Sequence, residues 1–271
     1  MHLHQRRADG GGDLRGVGAL LHPTAVFAAA FAAGMINSVA GGGTLVLFPT
    51  LVWVGVSPIV ANVTCTAALW PGSIGAMYGF RRELEQSGRW LKMLSAPSLL
   101  GGLLGAVLLL RTPDQTFDAI VPYLIGFATC LFAAQESISR LLRWEMAHAQ
   151  QSRRWWIGAI VFQLLVALYG GYFGAGIGIL MLAALGLLGL SDIHQMNALK
   201  NFFAVCINLV AAIYFMLFGP VSWSDALVIA IGAIAGGYGG AGLARRVGRE
   251  AVRRVVIVIG FGMALSLAVS P

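Results

Sequence analysis

The sequence predicts an all-α polytopic membrane protein made of two inverted-topology repeats, each of about five helical segments. Three observations carry that prediction. Of 271 residues, 58% are apolar and only 11% are charged, against about 25% charged in a soluble domain. Charge this sparse cannot cover a globule of this size, so most of the surface faces lipid. The chain also matches itself without a gap at an offset of 135 residues. Phe27 falls on Phe162, Ala40 on Ala175, Gly41 on Gly176, Gly43 on Gly178, Leu45 on Leu180, Leu47 on Leu182, Asn62 on Asn197, Phe80 on Phe215 and Arg111 on Arg246. The block Gly101, Gly102, Gly105, Ala106 falls on Gly236, Gly237, Gly240, Ala241. Finally, each copy holds a glycine cluster between two apolar segments, Ala40-Gly41-Gly42-Gly43-Thr44 and Gly174-Ala175-Gly176-Ile177-Gly178.

Taken in order, residues 1–22 read as a polar tail, 23–142 as the first transmembrane repeat, 143–154 as a cytoplasmic linker and 155–271 as the second repeat. The apolar run after the tail resembles a signal sequence, but it matches Phe162–Ala175 of the second copy and so belongs to the fold. The first copy gives apolar segments Pro23–Val39, Leu45–Val56, Ile59–Phe80, Leu91–Leu110 and Ala119–Leu142. The second gives Trp155–Phe173, Ile179–Leu190, Met196–Phe218, Ala226–Ala244 and Val255–Val269. A full span needs roughly 20 residues. The second segment of each copy is too short for that. Each therefore reads as half of a bent pair, with its turn at the glycine cluster inside the membrane, where only protein or a watery cavity tolerates irregular backbone. Long unbroken apolar runs exclude a β-barrel, and 36 glycines suit close helix packing.

The net charge of +7 reflects topology and not nucleic-acid binding. Thirteen of the eighteen Lys and Arg lie in three loops, around Arg81–Lys92, Arg140–Arg154 and Arg245–Arg254. If each bent pair returns the chain to the side it came from, these loops share one face. That face is cytoplasmic by the positive-inside rule, and both termini lie outside. Five segments per copy insert the second copy upside down. Its Met216–Leu227 loop, the counterpart of Arg81–Lys92, accordingly lacks Lys and Arg. Inverted repeats are a recurrent plan of secondary transporters, with the substrate held near the midplane.

Two broken helices put backbone N–H groups near the bilayer centre. Helix N-termini carry partial positive charge and unpaired donors, so they suit anions, and glycine permits close approach. The expected donors are the N–H groups of Gly42, Gly43 and Thr44 and, across Gly176, those of Ile177, Gly178 and Ile179. The competing reading, glycine used only for tight packing, is weakened because the clusters occur twice at matching positions. Asn62, with Thr64 and Thr66, and Asn197, with Lys200 and Asn201, complete the expected site; their alternative role is interhelical hydrogen bonding. Lys200 stands inside an apolar segment, at an insertion cost of roughly 2.5–3.5 kcal/mol. Snorkelling to the helix end near Asp192 and His194 is its other reading. Asn37, Ser38, Ser73 and Asn208 are lesser candidates. Asp192 and Asp225 sit at segment ends and Glu136 near the cytoplasmic side, so no carboxylate relay lies deep in a span. No Walker loop is present. No metal spacing appears around Cys65, Cys130 and Cys206, and no cofactor is expected. The histidines sit in termini, loops or segment ends, away from any acid–base–nucleophile set, so the chain is expected not to be an enzyme.

Gly34, Ala40–Gly43, Pro49, Gly55, Ser57-Pro58 and Ala61-Asn62 in the first copy, with Gly170-Gly171, Gly174–Gly178, Asn197, Lys200 and Asn201 in the second, resemble the sulfite exporter TauE/SafE family of bacterial membrane permeases. The resemblance runs from Ala25 to Val269. It implies a multi-pass protein of the cytoplasmic (inner) membrane that moves sulfite or organosulfonates such as sulfoacetate. The second copy departs where Ala184 replaces a proline and Ile177 interrupts the glycine run, which weakens a symmetrical picture of the site. The expected activity is a secondary exporter of a small sulfur oxyanion, one repeat rocking against the other to alternate access; an anion channel on the same scaffold is the alternative. The expected partners are a small anion, the lipid bilayer and, as an option, further copies of the chain.

Overall fold

In a computed structural model, the structure describes residues 11–39, 42–79, 81–145, 153–188, 190, 192–247 and 249–269. Among these residues it is all helical. The first copy forms α1 (Gly11–Val39), α2 (Thr44–Trp53), α3 (Pro58–Gly79), α4 (Arg81–Glu85), α5 (Gly88–Arg111) and α6 (Asp114–Glu145). The second forms α7 (Arg153–Tyr172), α8 (Ile177–Leu187), α9 (Ile193–Phe218), α10 (Trp223–Val247) and α11 (Arg249–Val269). The helices follow the apolar segments, with two differences. Helix α1 begins upstream of Pro23, inside the stretch read as a tail. The short helix α4, Arg-Arg-Glu-Leu-Glu, has no apolar run to announce it.

Local chemistry sets the boundaries. Gly55, at φ +94°, ends α2, and Pro58 occupies the first position of α3, where its missing N–H costs nothing. The Asp192 carboxylate accepts from the His194 N–H and caps α9. Ser222 and Asp225, spaced as in a capping box, open α10: Ser222 Oγ donates to Asp225 Oδ2 over 2.7 Å, and Ala226 N–H bonds Ser222 O.

By length and composition, Gly88–Arg111, Asp114–Ala134 and His194–Phe218 can each cross a bilayer. Helices α2 and α8, of 10 and 11 residues, span only about 15 Å, half of a hydrocarbon core of ~30 Å. Neither can cross.

The helix contacts have an exchange pattern. Helix α1 packs on α10 as α7 packs on α5, α10 on α3 as α5 on α9, and α2 on α11 as α8 on α6, while α3·α9 and α6·α11 are their own counterparts. These pairs keep their partners when the two copies are swapped; α7·α9, α3·α6 and α10·α11 lack an equally packed counterpart. The tightest contacts use bare backbone. A Cβ built on Gly105 would strike Leu168 O, and one on Gly171 would strike Gly102 O. In the counterpart pair, Gly34 faces Ala233 O and Gly236 faces Phe31 O in the same way. In lipid no hydrophobic force joins helices, so backbone approach through small residues supplies the packing. The opposite face of α5 carries exposed Leu100, Leu104 and Leu108, with leucine turned to lipid and glycine turned inward. Each keyed pair thus takes one helix from each copy.

Polar contacts join the helix ends. His22 Nε2 lies 3.0 Å from Asp225 Oδ1, and Ser222 N–H donates to Thr64 Oγ1 over 3.0 Å. At other ends Gln195 Nε2 donates to Ser87 Oγ over 3.0 Å, and Arg89 sits 4.7 Å over the Trp156 ring.

Candidate functional site

Both glycine bends end against α6. Gly42 has φ +90°, and a Cβ there would lie 2.8 Å from the Phe132 ring. Gly176 has φ +76°, and a Cβ there would lie 3.5 Å from Ala128 O. Ala128 and Phe132 are one helical turn apart. Between the bends, Phe48 of α2 meets Phe173 edge-on, with ring centroids 5.3 Å apart. The two broken helices therefore converge on one stretch of α6. Residues Ala40 and Gly41 of the first cluster lie outside the described residues.

The second bend is a compact turn. Gly174, at φ +77°, and Gly176 supply the left-handed conformations. Tyr169 OH donates to Ala175 O over 2.7 Å, and Gly174 N–H returns to Tyr169 O.

Half of the six expected N–H donors are already engaged, which corrects the sequence picture. Gly43 N–H donates to Asn37 Oδ1 over 2.8 Å, so Asn37 caps α2 and removes that donor. Ile177 and Ile179 N–H bond Gly174 O and Gly176 O. The N–H groups of Gly42, Thr44 and Gly178 find no partner among the described residues. Thr66 is a further correction: its hydroxyl donates to Asn62 O, four residues back, so its proton is not offered to a ligand.

Lys200 comes to the second bend. A Cβ built on Gly178 would lie 3.5 Å from Lys200 Cδ, so the lysine stem runs along the first turn of α8. Its Nζ donates to Asn197 Oδ1 over 3.1 Å. Asn208 reaches the same bend, with Oδ1 4.0 Å from a Cβ on Gly174. Asn201 is half-buried on α9. Asn62 is buried, and its Nδ2 donates 2.8 Å to Tyr172 O at the end of α7. Asn62 and Lys200 thus bracket the second bend from its two ends. The side chains of Ser38 and Ser73 lie outside the described residues.

Sequence reading missed Gln163. It is fully buried on α7, and its Nε2 donates to Ser98 Oγ at 2.8 Å and lies 3.7 Å from Met181 Sδ. A lone glutamine amid Val161–Leu168 was the available signal. The His22–Asp225 pair was also missed, because nothing local links residues 203 positions apart.

The two glycines predict opposite responses to a methyl group. Gly178→Ala is expected to fold normally, since 3.5 Å is ordinary contact. Gly43→Ala drives a Cβ into Ala33 O and is expected to cost at least about 1–3 kcal/mol. Thermal unfolding in detergent checks this; equal midpoints for the two variants would refute the packing argument.

The chain matches the family model described as Sulfite exporter TauE/SafE over residues 26–267. It is 26% identical over 250 residues to a Sinorhizobium protein named probable membrane transporter protein ORF9, covering 91% of this chain and 92% of that one. A Haemophilus influenzae protein named probable membrane transporter protein is 27% identical over 243 residues, covering 88% and 91%. The Escherichia coli K12 protein named probable membrane transporter protein YfcA is 26% identical over 246 residues, covering 89% and 88%. No solved structure is significantly similar. With the family model spanning nearly the whole helical body, the chain is an integral membrane transporter and belongs to the sulfite exporter TauE/SafE family.

Proposed function

We propose that the protein is a secondary exporter of small sulfur oxyanions, sulfite or an organosulfonate, working by alternating access in the bacterial inner membrane with both termini outside. The observation that carries this reading is the Lys200 side chain lying along Gly178 at the N-terminal turn of α8. An ammonium beside a helix N-terminus sums two positive contributions where a small anion can approach bare backbone. Asn62, Asn197 and Asn201 supply neutral polar groups around it, and Thr44 N–H offers a donor at the other bend.

The copies are inverted in this reading. The His22–Asp225 and Ser87–Gln195 contacts join ends that the loop charges assign to the same sides. The keyed helix pairs α5·α7 and α1·α10 each tie one copy to the other, and the contacts between the copies are where rocking would act. With an inside-negative potential, export of an anion is downhill by about 2.3 kcal/mol per charge per 100 mV. Export therefore needs no ion-coupling site.

The test is a thermal-shift panel on purified protein with sulfite, sulfoacetate, thiosulfate, sulfate and chloride. A ligand of the folded state raises stability by RT ln(1 + [L]/Kd). The expected result is a rise with sulfite or a sulfonate that disappears in Lys200→Ala. A folded protein that responds to none of the sulfur anions would overturn the substrate assignment.

A further inference from the structure

Asn62 is 1% exposed, and its amide orientation is fixed. Tyr172 O can only accept, so the nitrogen must face it, and the measured Nδ2 distance is 2.8 Å. The Oδ1 atom then points away from Tyr172. It is buried and has no hydrogen-bond partner among the described residues. Buried carbonyl oxygens in native proteins are nearly always paired, and an orphan is expensive.

The second copy indicates what such an oxygen accepts. Asn197 stands at the equivalent position, and its Oδ1 receives Lys200 Nζ at 3.1 Å, from three residues further along α9. Three residues beyond Asn62 the first copy has Cys65. This thiol is itself buried and is a weak donor that offers no ammonium. One amide oxygen of the pair is therefore served by the protein, and the other is left for something else. Asn62 also touches the last residue of α7, immediately before the bend whose far end meets Lys200.

We propose that Asn62 Oδ1 reads a hydrogen-bond donor on the substrate, so the transported species is an anion that also carries an O–H or N–H group. The anionic head sits at Lys200 and the Gly178 turn, and the donor takes the place that Lys200 Nζ fills on Asn197. This inference rests on the anion site proposed above and narrows it. Hydrogen sulfite or a hydroxysulfonate satisfies Asn62, whereas sulfate and doubly ionised sulfoacetate bring only acceptors. A site built around a substrate donor discriminates strongly against the analogue that lacks it, because the protein group stays unpaired.

The experiment compares two ligands that differ in one hydroxyl, 2-hydroxyethanesulfonate and ethanesulfonate, by calorimetry on detergent-purified protein. The wild type is expected to bind the hydroxylated ligand at least about tenfold more tightly. In Asn62→Ala that ratio is expected to fall towards one, while Lys200→Ala weakens both ligands alike. Equal binding of the two ligands by the wild type, with both lost in Lys200→Ala, would leave the anion site standing and overturn the donor reading. The same holds if Asn62→Ala keeps the full ratio. If neither sulfonate binds folded wild type, the anion site falls and the inference with it. The wild-type comparison decides even if Asn62→Ala does not fold.

Discussion

Lys200→Ala is expected to weaken binding of the proposed substrate, a sulfur oxyanion, roughly 10- to 100-fold, the value of a hydrogen bond to a charged group at about 1.5–3 kcal/mol. The loss should not come from unfolding. Removing an ammonium from an apolar helix relieves an insertion cost, and Asn197, left without its Nζ contact, is half-buried and not sealed in the core. The thermal midpoint without ligand should hold or rise while the affinity drops. Lys200→Arg is expected to keep part of the affinity, because the charge remains but a planar fork replaces a point donor. Calorimetric titration beside thermal unfolding checks both halves. A folded Lys200→Ala protein with wild-type affinity would remove the lysine from the site.

The second large effect is on stability. Gly105→Ala is expected to destabilise the protein by about 3 kcal/mol or more, at the upper end of overpacking costs. Its Cβ would strike Leu168 O and sit 2.7 Å from Tyr172 N. Backbone atoms cannot rotate aside as a side chain can, so α5 and α7 must separate along their length. Gly126→Ala is the matched control, since no atom lies within 4 Å of its Cβ position, and it should stay within about 0.5 kcal/mol of wild type. Equal thermal midpoints for the two variants would mean that the α5·α7 backbone contact is not what holds these helices together.

The broken helices were legible in the sequence because they rest on two strong local signals: a glycine cluster, and an apolar run too short to span. Lys200 was legible for a similar reason, as a cation in an otherwise apolar segment. What hydrogen bonds consume was not legible. Gly43 looked like a free donor until Asn37, six residues away, was seen to fold back onto it. Thr66 looked available until its hydroxyl was found on its own helix. Periodicity gives the face a side chain occupies but not whether its proton is already used. Nor can a repeat offset report that both bends meet α6 one turn apart, since that depends on how α2 and α8 pack against a helix distant in the chain. The five-residue α4 escaped for another reason: it buries no residue, and burial is what leaves a mark in the sequence.

The keyed pairs bear on assembly. In the first copy α5 presents a furrow of bare backbone: α7 fills it at Gly101 and Gly105, and Ile207 of α9 closes on Gly102. Helix α10 offers the matching furrow at Gly232 and Gly236, and α1 fills that one. A half-chain ending before Arg153 would carry one ridge and one furrow that do not meet each other. Either half by itself is thus an unclosed hand, able to clasp only a second half. Were the two halves made as separate chains, they would have to be matched one to one; the covalent join fixes that ratio.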